Sequence, residues 1–136
     1  MEVKVLLDDG AFLPEKAYDA DAGFDIRTPI DFKIYGEATI DTGVHMKIPK
    51  GFVGMLKSKS GLNINYNLVG EGVVDADYVG SIKVKLYNMG GIPHEFKRGD
   101  KLIQIVILPI PCVYLVQVDE LPITHRGTNG FGSTGR

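Results

Sequence analysis

The chain has 136 residues, 44% of them apolar and 24% charged, a balance that suits one globular domain with a modest core. A formal net charge of −2 argues against nonspecific binding to long nucleic acid and leaves room for a local site for a small polyanion. One cysteine, Cys112, excludes an internal disulfide and reads as a packing residue.

The start, MEVKVLLDDG, lacks the basic and apolar regions of a signal peptide. No apolar run approaches the roughly 18 residues of a membrane span. The expected location is the cytoplasm, or a host cytoplasm for a viral or phage protein. Strand signals then dominate. Residues 3–7 are rich in β-branched and apolar side chains, and 22–26 form an apolar strand interrupted by Asp25. Thr39-Ile40 leads to a break at Gly43, and 45–48 resume an alternating pattern. Pro49-Lys50-Gly51 is a turn, followed by a strand over 52–56. One short helix is expected from Ser60, with Ser60 as its cap. Glycines flank a short hairpin around 69–74. Ile82, Val84 and Leu86 alternate with Lys83, Lys85 and Tyr87, the mark of a half-buried strand. Residues 102–108 are apolar except for Gln104, and 113–118 read as a further strand. Short strands punctuated by 17 Gly and 7 Pro indicate a sandwich, jelly roll or barrel. The last eleven residues, RGTNGFGSTGR, contain four Gly and one strongly apolar side chain, Phe131. They cannot build a core and should order only on a ligand or partner.

Polar chemistry gathers in five places. In the tail, Arg126, Ser133 and Thr134 lie among glycines that let a backbone approach a phosphate closely. Phe131 could stack on a base if the tail closes; the bland reading is a flexible terminus. Lys57-Ser58-Lys59-Ser60-Gly61 sets two cations and two hydroxyls at the helix start, where free N–H groups favour an anion, or forms a solvated basic turn. Gly70 to Tyr78 brings Asp75, Asp77 and Tyr78 behind the hairpin. A carboxylate there could deprotonate a water, and simple turn chemistry is the alternative. Asp25 and Gln104 each interrupt an apolar strand and need a partner if buried, whether structural or functional.

In order along the chain, AGFDI (22–26), SKSGL (58–62), GVVDADYVG (72–80), RGDKLIQ (98–104) and RGTNGFGSTG (126–135) resemble the five motifs of the trimeric dUTP pyrophosphatase (dUTPase) family. The resemblance spans nearly the whole chain. It implies an all-β, jelly-roll-like distorted barrel with one short helix, residues 1–125 forming the core and 126–136 an arm of a single domain. It implies a homotrimer with sites at subunit interfaces, each closed by another subunit's arm. The implied reaction is hydrolysis of dUTP to dUMP and pyrophosphate, which lowers dUTP and supplies dUMP for dTTP synthesis.

By the same resemblance, Asp75 activates the attacking water and Tyr78 packs beneath the deoxyribose, leaving no room for a 2′-hydroxyl. The backbone of Val69, Gly70, Gly72, Val73 and Val74 reads uracil. Lys59, Ser60, Gly61 and Gln104 meet phosphates. Arg126, Gly132, Ser133 and Thr134 hold the outer phosphates while Phe131 stacks on the base. Mg²⁺ is held mainly by the triphosphate, with Asp25 on the metal side through water. His45, His94 and His125 are widely separated and are not expected to ligate it.

The chain departs from the family pattern at several positions. Lys59 stands where Arg is usual and keeps charge without the bidentate fork. Ser58 replaces a frequent Pro, Phe24 a Tyr, and Val79 a common Arg. The related dCTP deaminases share the fold but carry a glutamate at the position of Lys85. A regulatory protein of the same fold, bound to a protein partner, is the rival from another class.

Overall fold

The computed structural model describes residues 1–135, which form eleven strands and one helix. In chain order these are β1 (Lys4–Leu7), β2 (Phe24–Arg27), β3 (Phe32–Ile34), β4 (Glu37–Asp41), β5 (Val44–Lys47), β6 (Phe52–Lys57), α1 (Ser60–Tyr66), β7 (Leu68–Val69), β8 (Glu71–Val74), β9 (Lys83–Asn88), β10 (His94–Phe96) and β11 (Lys101–Pro109). Every ladder is antiparallel. One sheet runs β2-β11-β6-β8 and another β4-β9-β7, with the pairs β1-β5 and β10-β3 completing the shell. This is the all-β architecture that the pattern of short strands indicates, in the jelly-roll-like form that the family resemblance implies.

β9 shows why such segments become strands. Its side chains alternate strictly, with Val84, Leu86 and Asn88 buried and Lys83, Lys85 and Tyr87 exposed. β11 does not alternate, and its pairing explains the difference. The register with β2 shifts between Lys101 and Ile103, so Leu102 and Ile103 both turn inward. Ile26, Ile34, Val44, Ile48, Val84 and Ile105 are fully buried with them. Each such side chain removed from water stabilises the fold by about 1.5–3 kcal/mol. β3 and β10 are three-residue strands, too short to alternate visibly. Phe32 and Phe96 mark their contact, with rings stacked 4.8 Å apart.

Four expectations need correction. Residues 113–118 form no strand; Val113, Tyr114, Leu115, Val116 and Val118 are all exposed. Their composition favours a ladder, but a strand needs a neighbour and none pairs with them among the described residues. Cys112, on the same stretch, is exposed and does not serve packing. Ser60 does not cap α1: the cap position is Lys59, and no side chain makes the capping bond. Ser60 is already the first helical residue, one position too late to turn its hydroxyl back onto the first free N–H groups. Finally, residues 69–74 are not a self-paired hairpin. β7 pairs with β9 and β8 with β6, so the chain changes sheets at Gly70.

Candidate active site

The change of sheet at Gly70 opens the site. β8 is the outer strand of its sheet, and β9 beyond Val69's partner Tyr87 has a free edge on the same side. Their separation leaves a cleft of about 300 Å³, lined by Leu56, Gly72, Val73, Val74, Asp75, Tyr78, Ile82 and Lys85 among others. That volume lies at the lower end of small-ligand sites. Backbone N–H and C=O groups of unpaired strand edges border it. Gly70 sits behind the cleft in close contact with the core: a Cβ there would lie 2.7 Å from Leu86 Cδ2 and 3.0 Å from the Lys85 carbonyl oxygen. Its N–H donates to Ser58 Oγ, and its carbonyl accepts from the same hydroxyl, both at 3.0 Å. A proline in place of Ser58 would have no group for this bridge.

Asp75 and Tyr78 stand at the cleft mouth on the turn after β8. The turn is closed by the Tyr78 N–H donating to the Asp75 carbonyl at 3.1 Å. Among the described residues no hydrogen bond or ion pair engages the Asp75 carboxylate. The Tyr78 hydroxyl donates to the Ser81 carbonyl at 2.8 Å, which fixes the ring across the turn. Lys85, across the cleft, lies 3.4 Å from Glu37; that pairing holds its ammonium pKa above the ordinary value.

A second cluster gathers the other early motifs. Asp25 on β2 is buried, with 8% of its side chain exposed. One carboxylate oxygen bonds Lys59 and the other lies 2.7 Å from Lys101 Nζ. Burial opposes its ionisation, and the hydrogen bonds and charges of Lys101 and Lys59 outweigh burial, so its pKa falls below the ordinary value. Gln104 lies opposite Asp25 in the β2–β11 register and donates to the Ser58 carbonyl at 3.1 Å. A Cβ at Gly23 would lie 2.5 Å from Gln104 Oε1, so the first motif's glycine makes room for the fourth motif's amide. Three of the five motifs are thus joined by side-chain contacts through Asp25, Lys59, Ser58 and Gln104, and Ser58 ties them to Gly70, two residues before the third. Sequence reading missed two members. Lys101 has no local signal, because only the β2–β11 pairing brings it to Asp25. Ser58 was legible as a hydroxyl at the helix start and as a departure from proline, but not as the bridge to Gly70 and Gln104.

The fifth motif lies apart. The hydrogen bonds of residues 124–135 are internal to that segment, including Arg126 Nε to the Asn129 carbonyl at 2.8 Å. Phe131 is wholly exposed and, like several neighbouring glycines, has a positive φ. Among the described residues no group of three His, Cys, Asp or Glu is arranged to hold a metal ion, and no helix is long and apolar enough to cross a membrane.

Fold and cleft together define an all-β protein whose cleft offers a small ligand unpaired backbone edges, a free carboxylate and a phenol ring, while a separate cluster holds two cations on Asp25. The chain belongs to the dUTPase family, whose model its residues 9–135 match. It is 38% identical to the deoxyuridine 5′-triphosphate nucleotidohydrolase of fowlpox virus, over 95% of this chain and 93% of that one. It is 37% identical to the enzyme of the same name from Treponema denticola, over 99% of each. Among solved structures, a Staphylococcus bacteriophage 80alpha dUTPase variant with dUpNHpp superposes with a TM-score of 0.88 at 30% identity, covering 99% of both chains. A dUTPase variant from phage phi11 of S. aureus, described as coordinating a structural Mg(II) ion, superposes with a TM-score of 0.79 at 31% identity over 88% of this chain and 98% of that one.

Proposed function

We propose that this chain hydrolyses dUTP to dUMP and pyrophosphate. The observation that carries this reading is the cleft between β8 and β9, with the uncommitted carboxylate of Asp75 and the ring of Tyr78 at its mouth. Uracil enters between the open edges of β8 and β9. Backbone groups of Gly72, Val73 and Val74 read it, and Val69 and Gly70 shape the base of the cleft. Wrong bases leave buried donors or acceptors unpaired. Tyr78 lies beneath the deoxyribose and excludes a 2′-hydroxyl. Asp75 orients a water and takes its proton as the water oxygen bonds to the α-phosphorus. The bond from that phosphorus to the α,β-bridging oxygen breaks, and pyrophosphate leaves. No covalent intermediate forms, so positioning and charge supply the catalysis.

Lys59, Ser60, the Gly61 N–H and Gln104 hold the phosphates. Arg126, Gly132, Ser133 and Thr134 complete the clamp on the outer phosphates, and Phe131 stacks on the uracil. In a single chain this arm lies open, which supports a homotrimer in which each arm closes a neighbour's site. The exposed apolar stretch from Val113 to Val118 supports the same assembly, because a second copy would supply the missing cover.

The residues present fit a Mg²⁺ carried by the substrate and not a protein cage. Both Asp25 oxygens already face ammonium groups, so Asp25 would reach such an ion through a water. When bound, Mg²⁺ supplies charge neutralisation on the triphosphate. Action in a cytoplasm, whether the cell's own or a host's, follows from the substrate.

Pyrophosphate release from dUTP, dCTP, dTTP and UTP with Mg²⁺ tests the reading. Release confined to dUTP is expected. Release from several nucleotides would remove the assigned roles of the cleft edges and Tyr78. No release from any would leave the fold with a binding role alone.

A further inference from the structure

The loop that carries Asp75 and Tyr78 leaves β8 at Val74 and re-enters the core at Ile82. Its far end is firmly fixed. Ile82 exchanges backbone bonds with Thr42 and Val44, its carbonyl also accepts from the buried Thr42 hydroxyl at 2.7 Å, and Ser81 Oγ bonds Asp41. Its middle is held differently. Between residues 75 and 80, the hydrogen bonds that leave the loop come from two side chains on β5, among the described residues. His45 Nδ1 lies 2.8 Å from the Val79 carbonyl oxygen. Lys47 Nζ donates to the Ala76 carbonyl at 3.1 Å and lies 3.5 Å from Asp77 Oδ1.

We propose that His45 and Lys47 are positioning residues of the hydrolytic site: from one face of β5 they grip the Val79 and Ala76 carbonyls and so fix the loop that aims Asp75 and Tyr78. The proposal rests on the dUTP-hydrolysis reading. Each grip falls one residue after a functional one, Ala76 after Asp75 and Val79 after Tyr78. Such spacing ties the turn at two points beside those residues, where a shift of about 1 Å is enough to cost a hundredfold in rate.

The His45 grip is also pH-sensitive. Its second nitrogen, Nε2, lies 3.1 Å from Asp8 Oδ1. A carbonyl and a carboxylate both accept only, so both ring nitrogens must carry protons to satisfy both contacts. The Val79 carbonyl first, and then Asp8, raise the imidazole pKa above its ordinary value. The other charged groups around the ring are Asp41 at the end of β4 and Lys47 on β5, with Lys4 of β1 lining the same shallow cleft. The pKa is raised, so the doubly bonded state is complete at low pH and is lost as pH rises through the folded value. Loss of the Asp8 contact frees the ring to turn away from Val79.

Steady-state kinetics of the intact enzyme test this. His45→Ala and Lys47→Met should each lower kcat for dUTP about tenfold or more, with little change in melting temperature for Lys47→Met, whose side chain is exposed, and a modest one for the partly buried His45. The preference for dUTP over UTP should narrow as Tyr78 loses its place. Lys47→Arg should restore most of the rate. Asp8→Asn touches the loop only through His45, so it should move the alkaline fall of the wild-type pH profile to lower pH. Unchanged kcat and unchanged dUTP preference in both His45→Ala and Lys47→Met would overturn the proposal, as would an Asp8→Asn profile that superposes on wild type. An inactive wild type would instead defeat the dUTP reading itself.

Discussion

Asp25 and Asp75 are both carboxylates in the same molecule, and their surroundings divide their tasks. Asp25 is buried between Lys59 and Lys101, while Asp75 is exposed and unengaged. The first orders two cations that would otherwise wander in solvent; the second remains free to take a proton. Asp75→Asn should lower turnover by about a hundredfold to ten-thousandfold, while affinity for a non-hydrolysable imido analogue stays near that of the wild type. Calorimetric titration with the analogue separates the two effects, and wild-type turnover in the variant would remove Asp75 from the mechanism. Asp25 has a different signature. Its folded pKa is depressed, so its stabilisation is present above the unfolded value of about 3.9 and is lost as pH falls through the lower folded value. Asp25→Asn should destabilise the protein by about 2 kcal/mol at neutral pH. The gap from wild type should narrow below about pH 4. Denaturant melts across that range measure it, and a gap independent of pH would contradict the ion-pair account.

At the scale of elements, the cleft exists because β7 and β8 belong to different sheets. Gly70 makes that corner possible, since no side chain fits between Leu86, Ile103 and the Lys85 carbonyl. Gly70→Ala should therefore lower stability by about 1–3 kcal/mol through overpacking and weaken uracil selection by moving β8. A variant with wild-type stability and selectivity would show that the corner tolerates a side chain. Much of this level was legible in the sequence. Alternation marked β9, the Pro49-Lys50-Gly51 turn separated β5 from β6, and Asp25 and Gln104 stood out as polar groups needing partners inside apolar strands. The partners themselves were not legible. Lys101 meets Asp25 only through a register shift in β11, and Ser58 meets Gly70 only because β6 and β8 pair. Residues 113–118 were misread for a related reason: composition reports an appetite for a ladder without saying which chain provides it.

The whole molecule is unfinished as a single chain. Beyond Pro109 the side chains from Val113 to Ile123 include many exposed apolar groups, and the glycine-rich arm lies away from the cleft. Both features are accounted for if three copies assemble and exchange arms. Removal of residues 126–136 should abolish most activity while leaving sedimentation and the β-sheet circular dichroism of the core unchanged. Full activity after truncation would show that the arm takes no part. In the proposed reaction water attacks the α-phosphorus of dUTP. Turnover in heavy-oxygen water, with mass spectrometry of both products, tests it most directly. One heavy oxygen in dUMP and none in pyrophosphate is expected; the label in pyrophosphate would place the attack on the β-phosphorus and contradict the assigned geometry.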